Sequence, residues 1–207
     1  KFGTGKCVSI GSKKVWAQRL SYVGELGFEI YINNEDAKEV YQLIVAEGKN
    51  HSLSHCGSHA MDTMRMESGF LHWGHDISPE ENQFEAGLNF AINYKKEIDF
   101  IGKESLLKIK DKIQNKRFIM LSLIDSKPGN PLLLHEEPIY LKDRIIGRTT
   151  SGNYSFNFSK NLSFGYVKSE YSNEELAKKD LYIEIAKQKY PVKVELVPLK
   201  DKQARFL

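Results

Sequence analysis

Apolar and polar residues follow two different patterns along this chain, and the pattern changes near Asn115. Before that point, runs with apolar residues three and four positions apart, typical of helices, alternate with short strand-like runs. After it, short β-rich runs follow one another and are separated by turn residues. The pattern predicts an α+β protein with a mixed α/β region at residues 1–115 and a small barrel or sandwich at residues 116–207.

The first region is predicted to contain three helices. The predicted elements are a strand at 14–20, a glycine-broken strand at 22–32, helices at 35–47, 57–68 and 103–112, and a strand-like run at 88–92. Asn34 is expected to cap the first helix and Gly48 to end it. Residues 70–85 show little periodicity and predict a long loop, a feature that is often functional in compact domains.

The second region is predicted to be built from six short strands. They are expected at residues 117–124, 138–141, 145–150, 162–167, 181–186 and 190–197. Turn residues such as Pro128-Gly129-Asn130 and Gly152-Asn153 separate the runs, as in other all-β domains.

Composition excludes several classes of protein. The 30 basic and 27 acidic residues are too balanced to indicate nucleic-acid binding, and no segment approaches the apolar length of a membrane span. Two cysteines, Cys7 and Cys56, give no disulfide framework and are typical of a reducing compartment, so a cytoplasmic location, or the mitochondrial matrix in a eukaryote, is expected. The chain begins at Lys1 without a methionine, which indicates part of a longer protein.

Residues 22–31 (YVGELGFEIY) are the most informative stretch, because Gly24 and Gly27 interrupt a strand-like run. Tyr22 and Glu29 are seven positions apart, a separation that places side chains on opposite faces of an uninterrupted strand. Glycine permits a bulge or bend, and a bend here would turn both side chains toward one cavity. The alternative is an ordinary bulge or hairpin with two polar groups at the surface.

A group of histidines raises the question of metal binding. His55 and His59 would share one helical face, a spacing that metal ligands use, and Cys56 beside His55 suggests a nucleophile with its base. No Cys-x-x-Cys or His-Glu-x-x-His pattern accompanies them. Ordinary surface or loop histidines are therefore the favoured interpretation, and no metal site is predicted.

The predicted helix at 57–68 carries a cluster of charged residues. Arg65 lies three positions after Asp62 and two before Glu67, so local ion pairs are expected. The chain contains neither a glycine-rich phosphate loop nor a Gly-x-Ser-x-Gly elbow. No residue is predicted to be catalytic from these patterns.

Several short motifs nevertheless occur in a specific order. They are YVGELGFEIY at 22–31, RMESG at 65–69, WGHD at 73–76, FEAGL at 84–88, FIGK at 100–103, IGRTTSG at 146–152 and FGYV at 164–167. In this order they resemble the glycine cleavage T-protein (aminomethyltransferase) superfamily over nearly the whole chain. The motifs at 23–27 and 72–74 are most similar to the folate domains of dimethylglycine and sarcosine dehydrogenases and oxidases.

The resemblance implies a fold and a cofactor. Residues 1–115 would be the C-terminal portion of a folate-binding aminomethyltransferase domain, and residues 116–207 its C-terminal β-barrel domain. Tetrahydrofolate would be bound by Glu29, which matches the family's pterin-binding glutamate, and by Tyr22, which matches a tyrosine lining the same pocket. A carboxylate can accept hydrogen bonds from two adjacent N–H donors on the pterin edge. Phe90 falls where some members carry a tryptophan that packs on the folate, and Arg205 is expected to approach the cavity.

The chain departs from the family pattern in two ways. Met61 stands where aminomethyltransferases proper have a folate-holding arginine, which the dehydrogenase-linked branch also lacks. The family's catalytic aspartate lies upstream of Lys1, so no catalytic residue is assigned within this chain. An upstream flavin domain on the same polypeptide is an expected partner.

The resemblance thus predicts a transferase that passes a one-carbon unit from a small N-methyl amine or aminomethyl donor to tetrahydrofolate, giving 5,10-methylene-tetrahydrofolate. Two alternatives stay open. One is a non-catalytic folate-binding or scaffold module, and the other is a demethylase of the same fold.

Overall fold

The structure, a computed structural model, describes residues 1–200 and consists of two compact units. The first contains Lys1–Phe70 and Lys200, and the second contains Leu71–Leu199. This division by compactness falls inside the first predicted domain. The domain boundaries at 1–115 and 116–207 stay predictions.

The first unit contains a three-stranded antiparallel sheet in the order β1-β2-β3. The strands are β1 (Gly5–Ile10), β2 (Lys13–Gln18) and β3 (Glu29–Tyr31). Strand β1 was not predicted, although Gly11 and Ser12 between β1 and β2 have the composition of a two-residue hairpin turn. The predicted strand over 22–32 is wrong for its first part, because strand pairing begins only at Glu29.

Two helices complete the first unit, α1 (Ala37–Gly48) and α2 (Ser58–Glu67). Both were predicted, but the predicted caps of α1 are wrong. Asp36, not Asn34, is the N-cap, and its carboxylate lies 2.8 Å from the Lys13 ammonium of β2 rather than on the helix backbone. Gly48 is still helical, and the chain turns only at Ser52, where φ is 57°. A Cβ at Gly48 would lie 2.5 Å from Leu53, so packing explains this glycine.

The second unit begins with a long connecting segment. The strand-like run predicted at 88–92 is wrong, because Asn89–Ala91 form a single 3₁₀ turn closed by backbone hydrogen bonds such as Ala91 N to Leu88 O at 3.0 Å. Helix α3 (Lys103–Ile109) follows and is shorter than predicted.

The remainder of the second unit is a closed six-stranded barrel in the order β4-β7-β6-β5-β8-β9. Its elements are β4 (Lys116–Leu123), β5 (Pro138–Leu141), β6 (Arg144–Ser155), β7 (Lys160–Lys168), the short helix α4 (Asn173–Leu176), β8 (Leu181–Ile185) and β9 (Gln188–Val194). All six predicted strands are confirmed, but the turn expected at Gly152-Asn153 is wrong, because β6 continues through both residues. The fold class, mixed α/β followed by a barrel, is confirmed. Closure removes the exposed edges that an open sheet would present.

The interior of the barrel is apolar. Inward side chains from all six strands meet in one buried cluster that includes Ile119, Leu121, Ile139, Ile146, Val167, Ile183 and Val192. Two glycines allow neighbouring strands to approach closely. A Cβ at Gly147 would lie 2.0 Å from the Tyr166 carbonyl oxygen, and one at Gly165 would lie 2.5 Å from that of Arg148.

Candidate functional site

The loop before β3 is bent at Gly24, as the glycine pattern predicted. Gly24 has a φ of 67°, and a Cβ there would lie 2.0 Å from the Ser68 hydroxyl oxygen at the end of α2. That hydroxyl lies 3.3 Å from the Val23 carbonyl oxygen. Gly27 is not in the left-handed region, so the bend depends on Gly24.

Lys200 is bonded to the same loop and to the end of α2. Its ammonium group donates to the Glu25 carboxylate at 2.5 Å and to the Val23 carbonyl at 3.3 Å, and its backbone N–H donates to the Glu67 carbonyl at 2.9 Å. The role of Lys200 was not predicted, because its partner Glu25 is 175 positions away and leaves no local pattern in the sequence. The ion pair engages Glu25, the more obvious acidic residue between the two glycines.

Tyr22 is placed by an aromatic stack. Its ring lies nearly parallel to that of Phe70, with an interplanar angle of 12° and centroids 6.0 Å apart. Phe70 is held in turn by Arg65, whose guanidinium donates to the Phe70 carbonyl at 3.0 Å. The Arg65 side chain is 1% exposed and also bonds Asp62 at 2.7 Å, which confirms the predicted ion pair. The RMESG motif therefore supports the position of Tyr22.

Glu29 lies exposed at the start of β3. The Tyr31 hydroxyl donates to its carboxylate at 2.7 Å, and this hydrogen bond, with the negative charge behind it, raises the pKa of Tyr31. Because side chains alternate along a strand, Glu29 and Tyr31 share one face of the sheet. Whether Tyr22 and Glu29 enclose a single cavity stays a prediction.

Of the other two predicted residues, only Phe90 is among those that the structure describes. Phe90 is in the 3₁₀ turn of the second unit, and its side chain is 79% exposed. A ring this exposed is available to a planar ligand. Arg205 lies outside the described residues. The roles of Tyr22, Glu29, Phe90 and Arg205 in folate binding stay predictions.

Asp76, from the WGHD motif, organises the predicted long loop. Its carboxylate accepts hydrogen bonds from the Thr150 hydroxyl at 2.5 Å, the Ser151 hydroxyl at 2.7 Å and the His72 backbone N–H at 2.9 Å. Consecutive strand residues normally point in opposite directions, but the register of β6 shifts between Thr149 and Ser151, and a bulge re-aims side chains. Asp76 is 1% exposed and thus has a structural role.

Tyr166 fixes the same loop from β7. Its hydroxyl donates to the Asp76 carbonyl at 2.8 Å. Burial raises the pKa of Tyr166 well above its ordinary value, and the negative charges of Glu81, Asp76 and Glu85 raise it further. The phenol therefore stays protonated and keeps its hydrogen bond at physiological pH.

A cleft of about 720 Å³ opens beside this loop, and four of the charged residues that line it form two ion pairs. The Lys116 ammonium lies 2.5 Å from Glu81, and Arg148 lies 2.9 Å from Glu136. Burial alone would raise the pKa of the Glu81 carboxyl, but hydrogen bonds from Lys116 and Ser78 outweigh it and lower the pKa. Acidic and basic residues both line the cleft, so its charge does not indicate one kind of ligand.

His55, one of the histidines considered as a metal ligand, contacts an aromatic ring. The His55 ring stacks against Tyr41 with centroids 5.9 Å apart. Over residues 1–200, no group of three or more His, Cys, Asp or Glu side chains is arranged to hold a metal ion. Nor does any helix in that range have the length and apolar character needed to cross a membrane.

The mixed α/β architecture followed by a closed six-stranded barrel agrees with known family models. The GCVT N-terminal domain matches residues 1–96, and the glycine cleavage T-protein C-terminal barrel domain matches residues 116–201. The chain belongs to the glycine cleavage T-protein superfamily.

Similar proteins include a dehydrogenase and an aminomethyltransferase. Dimethylglycine dehydrogenase from Rattus norvegicus, a mitochondrial protein, is 35% identical over 96% of this chain, and the match spans 22% of that protein. Aminomethyltransferase from Listeria welshimeri is 36% identical over 95% of this chain and 51% of its own length. The chain thus spans about half of the aminomethyltransferases and about a fifth of the dehydrogenases it matches.

A solved structure shares the fold. The glycine cleavage system aminomethyltransferase T from Bartonella henselae superposes with a TM-score of 0.78 at 21% identity, covering 91% of this chain and 50% of that one.

Proposed function

We propose that the protein carrying this chain transfers a one-carbon unit from an N-methyl amine or aminomethyl donor to tetrahydrofolate, giving 5,10-methylene-tetrahydrofolate. The observation that carries the proposal is the contrast between two neighbouring carboxylates. Both are exposed, but Glu25 is ion-paired with Lys200, whereas Glu29 is oriented by a hydrogen bond from Tyr31. Membership of the superfamily supports folate-dependent one-carbon chemistry in general.

Glu29 has the chemistry to recognise a pterin. A carboxylate has about four acceptor sites on its two oxygens, and the hydrogen bond from Tyr31 uses one of them at Oε2. The remaining sites can accept two adjacent N–H donors from the pyrimidine edge of the pterin. Tyr22 would line the same pocket, and Phe90 and Arg205 would contact the bound folate. No residue described here is assigned to catalysis, and the proposed catalytic aspartate belongs to polypeptide upstream of Lys1.

Titration calorimetry with tetrahydrofolate tests the binding site. Glu29→Gln keeps the shape of the side chain but removes one acceptor oxygen and the charge. We expect a loss of about 1.5–3 kcal/mol, the contribution of hydrogen bonds to a charged group, which corresponds to roughly tenfold to a hundredfold weaker binding. Glu35→Gln is the matched control, because Glu35 is an exposed acidic residue six positions away. Equal affinities in both variants would reject Glu29 as the pterin-binding residue.

Product formation tests the reaction. The full-length natural protein, supplied with dimethylglycine, sarcosine or an aminomethyl donor, is expected to convert tetrahydrofolate to its 5,10-methylene form. Binding without turnover by any donor would favour the non-catalytic module, and formation of 5-methyl-tetrahydrofolate would identify a demethylase.

The relatives also suggest a biological setting. We propose an upstream flavin domain, since the chain matches a small part of dimethylglycine dehydrogenase and of a 4-methylaminobutanoate oxidase from Paenarthrobacter nicotinovorans. The visible absorbance of a flavin in the purified natural protein would support this arrangement, and a protein without flavin would contradict it. The proposed compartment is the cytoplasm, or the mitochondrial matrix in a eukaryote.

A further inference from the structure

One face of the three-stranded sheet carries aromatic and polar side chains around Glu29. Gln18 pairs directly with Glu29, and Trp16 pairs directly with Tyr31. Residues paired across antiparallel strands point to the same side, so these four residues share one face, which we call the open sheet face. Trp16 is 43% exposed and Tyr31 is 54% exposed. Val15, on the opposite face, is 2% exposed.

The indole of Trp16 lies beside Gly5 of the neighbouring strand β1. A Cβ at Gly5 would lie 2.5–2.9 Å from three atoms of the indole, so the ring covers Gly5. Gly5 pairs with Gln18, which pairs with Glu29. The indole therefore covers the β1 end of the row of paired residues whose β3 end is Glu29. Trp16 is 43% exposed, so part of the ring remains accessible.

We propose that the open sheet face is the platform for the pterin ring of a reduced folate, with Trp16 as its stacking surface and Tyr31 as a positioning residue for Glu29. The inference deepens the proposed function and rests on it. It adds Trp16, Gln18 and Tyr31 to the site, none of which the resemblance assigns.

The dimensions of the platform suit a bicyclic ring. Adjacent strands are about 4.8 Å apart, so Gly5 and Glu29, on the two outer strands, are separated by about 10 Å. A pterin whose N–H edge meets Glu29 would lie over Gln18 and reach the indole. The amide of Gln18 can both donate and accept hydrogen bonds, as the heteroatoms of the ring require.

Tyr31 acts through Glu29. Its hydroxyl donates to Oε2 at 2.7 Å and thereby fixes the orientation of a carboxylate that is otherwise exposed. An exposed glutamate loses side-chain entropy when it binds a ligand, and a carboxylate already oriented loses less. Tyr31 should thus strengthen folate binding through its hydrogen bond to Glu29.

Calorimetric titration of the natural full-length protein with tetrahydrofolate tests the stacking surface. Trp16→Ala is expected to weaken binding by about tenfold, in the range of aromatic stacking on a planar base. Tyr41→Ala is the matched control, because Tyr41 is an exposed aromatic residue on helix α1 of the same unit, and it should leave affinity within about twofold. Gly5→Ala provides a second variant: the indole stays in the chain but is displaced, and we expect weaker binding again.

A double-mutant cycle tests the positioning role. Tyr31→Phe removes only the hydroxyl and should weaken binding by about threefold to fivefold, the contribution of an ordinary hydrogen bond. In the Glu29→Gln background the same change should have a smaller effect on the affinity for tetrahydrofolate. Equal effects in both backgrounds would refute the positioning role.

The outcomes separate the two proposals. Absence of tetrahydrofolate binding by the unaltered protein overturns the proposed function and this inference with it. Binding that depends on Glu29 but responds equally to Trp16→Ala and Tyr41→Ala overturns the platform alone.

Discussion

The Tyr31 hydroxyl donates a hydrogen bond of 2.7 Å to the carboxylate of Glu29, two positions earlier on the same face of β3. This contact orients the one carboxylate that the family resemblance assigns to the pterin. It also gives that carboxylate a spectroscopic reporter, because the negative charge of Glu29 raises the pKa of Tyr31.

Glu29→Gln should therefore lower the pKa of Tyr31 toward the ordinary tyrosine value of about 10. The hydrogen bond to a charged acceptor and the Coulomb repulsion of the phenolate both disappear in the variant. Ultraviolet titration of tyrosine ionisation, taken as the difference between Glu29→Gln and Glu29→Gln/Tyr31→Phe, isolates this phenol. The same difference between wild type and Tyr31→Phe gives the reference, and identical pKa values would show that the contact is absent in solution.

Gly24→Ala should destabilise the first unit by roughly 1–3 kcal/mol. The change places a Cβ at a positive φ of 67° and 2.0 Å from the Ser68 hydroxyl. Gly87→Ala is a matched control with a φ of 71° and no atom within 4 Å of the added Cβ. Urea denaturation measures both, and the excess loss at Gly24 reports the contact with Ser68. Equal losses would mean that backbone strain alone accounts for the effect.

Asp76→Asn should destabilise the second unit by roughly 2–4 kcal/mol. The buried carboxylate accepts from two hydroxyls and one backbone N–H, and an amide NH₂ cannot accept a hydrogen bond. Asp143→Asn, at a fully exposed turn in the same unit, should leave the urea midpoint unchanged. An unchanged midpoint in Asp76→Asn would contradict the proposed organising role.

The Glu81–Lys116 pair predicts a pH-dependent contribution to stability. Because the pKa of Glu81 is lowered in the folded state, its contribution is present above the ordinary carboxyl pKa of about 4.3 and is lost as the pH falls through the folded-state value. Glu81→Gln should cost about 1–2 kcal/mol at pH 7, after allowance for the partly exposed lysine, and nothing once Glu81 is protonated. Urea midpoints across this pH range measure the difference, with the exposed Glu80→Gln as control. A constant difference at all pH values would contradict the assignment.

The barrel was predictable because its signals are local. Each strand, such as β5 (Pro138–Leu141), carries its own alternation and turn residues, and the sequence locates them within a few positions. The predicted caps of α1 were wrong for the opposite reason. The Asp36 carboxylate is ion-paired with Lys13 of β2, and Gly48 packs against Leu53, so contacts outside the helix overrode local preference.

The sequence by itself determined the family, the barrel and the bend at Gly24. These follow from order, spacing and backbone preference, which the chain carries locally. Only the tertiary structure determined which distant residues contact one another or share one face of a sheet. Lys200 engages Glu25, Thr150 and Ser151 both reach Asp76 across a bulge, and strand register brings Trp16 and Gln18 onto the face of Glu29. Such partners are distant along the chain and meet only after the strands pair, so no local pattern records them.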